Sequence, residues 1–473
     1  MRQEGPFNEV SWLGARSLGL AWIIIALVTG GCEGKFYAGD AGLDGGDGEG
    51  ADLPGDSTDP DGPGDEGATD DPGEADPPPD ADGMDPPPDG DVIDAPPDPD
   101  IVDIEVDNDL CGGTTLADRL RVTTVDVAPS SVGGGAYQEA VVLSPLADGS
   151  SRVAWNDGAG AARVTPLTAA DTRAGADQVL ENADMSGFVA LPDGNAILGV
   201  RGDAMVLWKL DTSGAVAFET PFVGNNSHTS DGDKWIDGWS DCGRLAWSGS
   251  RFAVYFGHTQ NWGADGNHQG DLYTYVDPAG TDLGGGWSWG CSHSLEVRLA
   301  WNGADFGPVC LSDCYPTKGI HINGYWGSEI SAEPSGNCSG GSAASLGGLA
   351  PVSDGFYLTF TSPEGRSSAD VVLVHVTAGG TVGSKIYLTD TAGVEETGAK
   401  LAAYGGNLLA AWMAGSSATF AVVDGSGAIL EGPETLDVAF DPHDDFVNFA
   451  DGAVGWAMGS GSQLSIARLG LCP

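Results

Sequence analysis

Between residues 110 and 473 short apolar runs recur in pairs, each pair joined by a polar turn containing glycine. Seven such pairs can be aligned: "VVLSPLADGSSRVAW", "FVALPDGNAILGV", "RLAWSGSRFAVYF", "RLAWNGADFGPVC", "LAPVSDGFYLTF", "KLAAYGGNLLAAW" and "FVNFADGAVGWAM". The turn glycines are Gly149, Gly194, Gly249, Gly303, Gly355, Gly406 and Gly452, at successive intervals of 45, 55, 54, 52, 51 and 46 residues. Runs of this length with β-branched and aromatic residues read as strands. Asp-Gly or Gly-Gly between them reads as a hairpin, because glycine accepts the positive φ that such turns need. Most copies continue into a second hairpin, as in "VLWKLDTSGAVAFE" and "TFAVVDGSGAILEG".

The unit is therefore four strands over about 50 residues, with almost no helical periodicity between units. Seven such units predict an all-β chain folded as a seven-bladed β-propeller. In period and hairpin layout the chain resembles known propeller repeats, without a WD40 or kelch signature. The last copy runs out of chain after "GWAMGSGSQLSIARL", one strand short. The segment "LADRLRVTTVDVAP", residues 116–129, is predicted to supply that strand and close the ring. Cys111 and Cys472 flank the closure, so a disulfide between them is expected. In the chain-entropy model so long a loop is worth about 4–5 kcal/mol.

Alternation of turns in a four-stranded meander puts both tight hairpins on one face. The connections within and between blades fall on the other. There the chain carries "GNNSHTSDGDKWIDGWSDC", "GHTQNWGADGNHQGD", "LGGGWSWGCSHS" and "CLSDCYPTKG". His228, His258, His268, His293 and His443 all map to this face, and eight of the 14 tryptophans lie between Trp235 and Trp326. Loops on a rigid scaffold carry function more often than strands do. Trp262, Trp287 and Trp289, in loops rich in Gly, Ser and Asn, are candidate stacking platforms; Trp235 and Trp239 lie in similar sequence. Two chemistries suit the histidine loops. His258, His268 and His293 with Asp271 offer imidazoles and a carboxylate to a transition metal. Alternatively His268 or His293 serves as a base, with Asp271, Asp313 or Tyr315 as partner. Trp155, Trp247, Trp301, Trp412 and Trp456, in the repeat strands, are expected to pack blade against blade. His321 and His375 fall in strands as structural residues. No nucleophile elbow, metalloprotease motif, P-loop or dinucleotide fingerprint is present, and no cofactor is expected.

The first 109 residues have another character. Leu18 to Val28 is an uncharged apolar run of 11 residues, too short to span a bilayer and suited to a signal-peptide core. It ends in "VTGGC", Val28 to Cys32. This resembles the lipobox of bacterial lipoproteins, with Thr29 where that family most often has Leu. The resemblance implies cleavage of residues 1–31, lipidation of Cys32 and membrane anchoring. Glu33, rather than Asp, after the cysteine implies the outer membrane or cell surface as the location. Residues 32–109 read as a disordered acidic linker: from Asp40 to Asp109 there are 26 Asp and Glu, 13 prolines and no Lys or Arg. Fully extended it reaches roughly 200 Å.

Residues 110–473 carry 40 acidic and 16 basic residues, which disfavours nucleic acid as a partner. The cysteines suit an exported domain with disulfides. The sequence thus predicts a lipid-anchored envelope protein displaying a propeller that binds a carbohydrate or a surface protein through the loop face of blades 2–4. The rival reading is a polysaccharide lyase or hydrolase using the same face. Some polysaccharide lyases share a propeller scaffold with central histidine and tyrosine, a likeness of fold alone.

Overall fold

A computed structural model describes residues 111–133, 141–224, 228–238, 240, 242–292, 296–323, 327–333 and 342–472. The signal peptide, Cys32 and the acidic linker lie outside the described residues, as do Trp239, His293 and Cys338.

Seven antiparallel sheets follow one another along the chain. Six are built from consecutive strands: residues 141–181, 184–221, 234–287, 297–332, 345–387 and 396–436. The seventh combines Val447–Asn448, Val454–Ser460 and Gln463–Leu469 with the N-terminal strand Leu120–Asp126, which pairs with Gln463–Leu469 from Leu120↔Leu469 to Asp126↔Gln463. The closing strand is shorter than the expected 116–129. Leu116–Arg119 instead forms one helical turn, capped by Thr115 and Asp118. Among the described residues no helix is long and apolar enough to cross a membrane.

The sheets form a ring because side chains of a strand alternate between its two faces. Even-numbered residues of Phe252–Asn261, such as Val254 and Phe256, join a core shared with blade 2. The odd-numbered Ala253 and Tyr255 join a core shared with blade 4. The pattern repeats, giving seven apolar clusters, one between each pair of neighbouring blades, the last pairing blade 7 with blade 1. Trp155, Trp412 and Trp456 are buried in these clusters, whereas Trp247 and Trp301 are half-buried at their edges. His321 lies in Gly319–Ile322 and His375 in Asp370–Thr377, both in strands. The first strand of each blade abuts the first strand of the next, so these strands line the axis. Gly348 shows how closely: a Cβ there would stand 2.2 Å from the backbone nitrogen of Leu401 in blade 6. All seven turn glycines read from the repeat have positive φ, from 82° to 158°.

Both ends of the domain lie on the tight-turn face. Cys111 and Cys472 form the expected disulfide. Leu471 packs against Gly405 and Gly452, in the first turns of blades 6 and 7. Arg119 pairs with Glu431 and donates to the Tyr404 hydroxyl. Asp171, in the second turn of blade 1, is fully buried between Arg121 and Arg468 of the closing blade. Further round, Cys291 bonds Cys310, Cys314 is also disulfide-bonded, and Cys242 is buried.

Candidate functional site

The opposite face is uneven. In blades 2, 6 and 7 the middle strands are joined by two-residue turns, Gly202–Asp203, Gly415–Ser416 and Gly461–Ser462. In blade 3 they run further. Phe252–Asn261 and Asn267–Val276 pair over ten residues each, to Asn261↔Asn267. Residues 257–261 and 267–271, expected as loop, are therefore ladder, and the loop proper is only Trp262–Gly266. The extension is supported on its inner side by Lys234–Trp235, a short strand from the blade 2–3 connection that pairs as Lys234↔Gln260 and Trp235↔Thr259.

This register decides where the candidate residues go. His258 pairs with Gly270 and His268 with Gln260, so both imidazoles lie on the blade 2 face of the ladder. Asp271 pairs with Gly257 and lies on the blade 4 face. The proposed ligand set of His258, His268 and Asp271 is thus split across the sheet. Its fourth member, His293, lies outside the described residues.

On the blade 4 face Asp271 is fully buried. It accepts hydrogen bonds from the Tyr255 hydroxyl at 2.6 Å and the Trp287 indole at 2.7 Å. Burial pushes its pKa up to about 7, against the opposing pull of those two donors and the Cys291 backbone N–H. Among the described residues it is the one carboxylate grouped with two further donor-type atoms, those of Cys291 and Cys310. Those sulfurs are spent in their disulfide, so they offer no thiolate to a metal. Trp287, a candidate platform, is a half-buried scaffold for this carboxyl.

On the other face His258 is buried, and its Nε2 lies 3.1 Å from the Ser288 carbonyl oxygen, which also accepts from Lys234 Nζ. Burial, and then the Lys234 charge, lower the His258 pKa to about 3, so the ring is neutral and Nε2 is the donor. Burial likewise lowers Lys234 to about 8. The His258 ring meets Trp289 edge-on at 5.4 Å. Trp289 also covers Gly270, where a Cβ would collide with the indole at 2.7 Å. Beyond it Trp262, 41% exposed at the ladder tip, meets Trp289 at 5.1 Å and His268 at 6.2 Å. His268 Nε2 lies 3.0 Å from the Asp265 carbonyl oxygen. His228 stacks on Trp235 at 4.2 Å and pairs with Asp203.

Asp313 and Tyr315 sit in blade 4, tied to the blade 3–4 connection. Ser292 donates its N–H to the Tyr315 carbonyl and accepts from the Tyr315 N–H, both at 2.8 Å. The Ser292 hydroxyl lies 3.4 Å from Asp313 Oδ1. Tyr315 is 40% exposed.

The axis holds a cluster that the repeat reading passed over. The arginines of the twin "RLAW" stretches, Arg244 and Arg298, each lie 3.1 Å from the Asp445 carboxylate. Lys400, at the corresponding place in "KLAAY", donates to the Pro442 carbonyl at 2.7 Å and to that of Asp444. Arg244 donates to the His443 carbonyl and Arg298 to that of Pro442. Residues 441–445, the connection from blade 6 to blade 7, thus fill the axis among three cations that are 0–7% exposed. Burial opposes ionisation of Asp445, but Arg298 and Arg244 overcome it and hold its pKa below the usual range. Burial, and the charge of Asp445, push Asp444 up. His443, expected among the loop-face histidines, stands 3.7 Å from Glu296. The signal in the sequence was a basic residue before Leu-Ala in three copies of the repeat.

No protein-family model and no curated protein sequence matches the chain. Solved structures do. The WD40 domain of Toxoplasma gondii coronin is 12% identical, with 75% of this chain and 87% of that one covered and a TM-score of 0.43. The WD40 propeller of Doa1 is 10% identical, covering 72% and 96%, with a TM-score of 0.38. A PL25 polysaccharide lyase, an ulvan lyase, is 10% identical, covering 63% and 82%, with a TM-score of 0.38.

Proposed function

We propose that this protein is a cell-envelope lipoprotein whose propeller binds a carbohydrate through the loop face of blades 2–4, centred on the blade 3 ladder. The carrying observation is Trp262: a large aromatic ring left 41% exposed at the tip of a paired ladder, edge-packed on Trp289. An indole held by backbone pairing presents a flat apolar face at little entropic cost, which suits stacking on a sugar ring. The position of the domain's ends supports display: Cys111 and Cys472 lie on the tight-turn face, opposite Trp262. In this reading Cys32 carries the lipid and residues 32–109 act as a stalk.

The catalytic alternative draws less support. His258 and Asp271 are buried on opposite faces of one sheet, out of each other's reach. Residues 441–445 occupy the axis, where a central catalytic pocket would sit.

The test is a glycan array probed with the soluble domain, followed by calorimetry on hits. Trp262→Ala is expected to abolish binding with an unchanged melting temperature. Absence of any glycan ligand, with capture of a surface protein instead, would overturn the carbohydrate reading. For the anchor, Cys32→Ala should move the protein from the membrane to the soluble fraction, and unchanged membrane association refutes lipidation.

A further inference from the structure

We infer that the glycan bound at the Trp262 platform carries amines, making it a cationic polymer of amino sugars rather than a neutral or uronic-acid polymer; this rests on the carbohydrate reading above. The argument is charge complementarity. The ladder tip holds exposed Asp265 two residues beyond Gly263, and a Cβ on Gly263 would sit 3.6 Å from the carboxyl carbon of exposed Asp231. Two exposed carboxylates from two separate segments thus flank Trp262. Asp233, in the supporting segment, receives the Ser230 N–H on Oδ2 and adds a third negative charge.

Counter-charge is scarce. Residues 252–297 contain five Asp and Glu and no Lys or Arg. Lys234, the one Lys or Arg in residues 210–243, turns its ammonium onto the Ser288 carbonyl. A uronate chain laid on Trp262 would bring carboxylates against Asp231 and Asp265, while Lys234 is turned onto the Ser288 carbonyl. A protonated amino sugar meets an indole face, favourable to cations, and carboxylates at its rim.

The experiment is calorimetry of the full protein against three hexasaccharides at low salt: glucosamine, N-acetylglucosamine and galacturonate. The first two share a backbone and differ in charge. The glucosamine hexamer is expected to bind about tenfold tighter than the acetylated one, with no binding of galacturonate. That gap should close at 0.5 M salt, where exposed charges are screened, and in Asp231→Asn/Asp265→Asn, whose fold is checked by its melting temperature. Trp262→Ala should lose both ligands. Preference for galacturonate, or a gap indifferent to the two Asp substitutions, overturns the inference while leaving carbohydrate binding intact. Failure of all three ligands together with an empty glycan array overturns both.

Discussion

Replacing Arg298 with methionine tests whether the axial cluster holds the ring together. The guanidinium is 1% exposed. It donates to the carbonyls of Gly347 at 2.8 Å, Val297 at 2.9 Å, Leu346 at 3.4 Å and Pro442 at 3.3 Å, and lies 3.1 Å from Asp445. These partners span blades 4 and 5 and the blade 6–7 connection. Methionine fills most of the stem volume but supplies no donor. Asp445 keeps Arg244 at Oδ2, while its Oδ1 loses the Arg298 guanidinium. Removing one member of a buried ion pair costs about 3–5 kcal/mol, chiefly because the other stays buried and charged. Relief of the Arg298 desolvation cost and the unsatisfied carbonyls, about 1 kcal/mol each, act in opposite directions. The expected net loss is therefore about 3–4 kcal/mol. Urea unfolding followed by tryptophan fluorescence reads it as a lower midpoint at constant slope. Adding Asp445→Asn to Arg298→Met should restore at least about 1 kcal/mol, since the stranded charge is gone. A midpoint change worth less than about 1 kcal/mol, or single losses that simply add in the double variant, would refute the reasoning.

Two further predictions concern the closure and the buried carboxyl. Substituting Cys111 and Cys472 by serine, which opens a loop with a sequence separation of 361, should lower stability by about 2–5 kcal/mol; a thermal melt matching the oxidised wild type sinks this. Because the Asp271 pKa is raised from 3.8 to about 7, its stabilising contribution is complete below pH 3.8 and is lost as pH rises through 7. Asp271→Asn, with Tyr255 free to reverse its hydroxyl, should flatten the fall in stability over that window; parallel wild-type and variant pH profiles count against the assignment.

The blades were legible because the repeat is local. Each hairpin carries its own glycine and its own alternation, and the missing fourth strand of the seventh unit pointed to the N-terminal segment. The site was less legible, for two physical reasons. The "GHTQNWGADGNHQGD" stretch looks like a loop because its residues are poor strand formers, yet pairing to Lys234–Trp235 carries the ladder through it. Once it is a ladder, the face on which each histidine lies depends on the register, which a one-residue change in the turn at Trp262–Gly266 would invert. Arg244 and Arg298 were visible as a repeated letter, but their partner, Asp445, is about 200 and 150 residues away respectively, in the connection between blades 6 and 7.

The joining of both chain ends at Cys111–Cys472 also sets a path for force. Tension arriving along the preceding chain would, without the disulfide, peel Leu120–Asp126 from Gln463–Leu469 one hydrogen-bonded pair at a time, starting at Leu120↔Leu469. With it, the load reaching Cys111 passes to Cys472 before it reaches either strand. The two strands are then drawn together from the same end, and the ladder that shuts the ring is shielded from being unzipped. If residues 32–109 tether the domain, as proposed above, the propeller is latched at the point where that tether would pull.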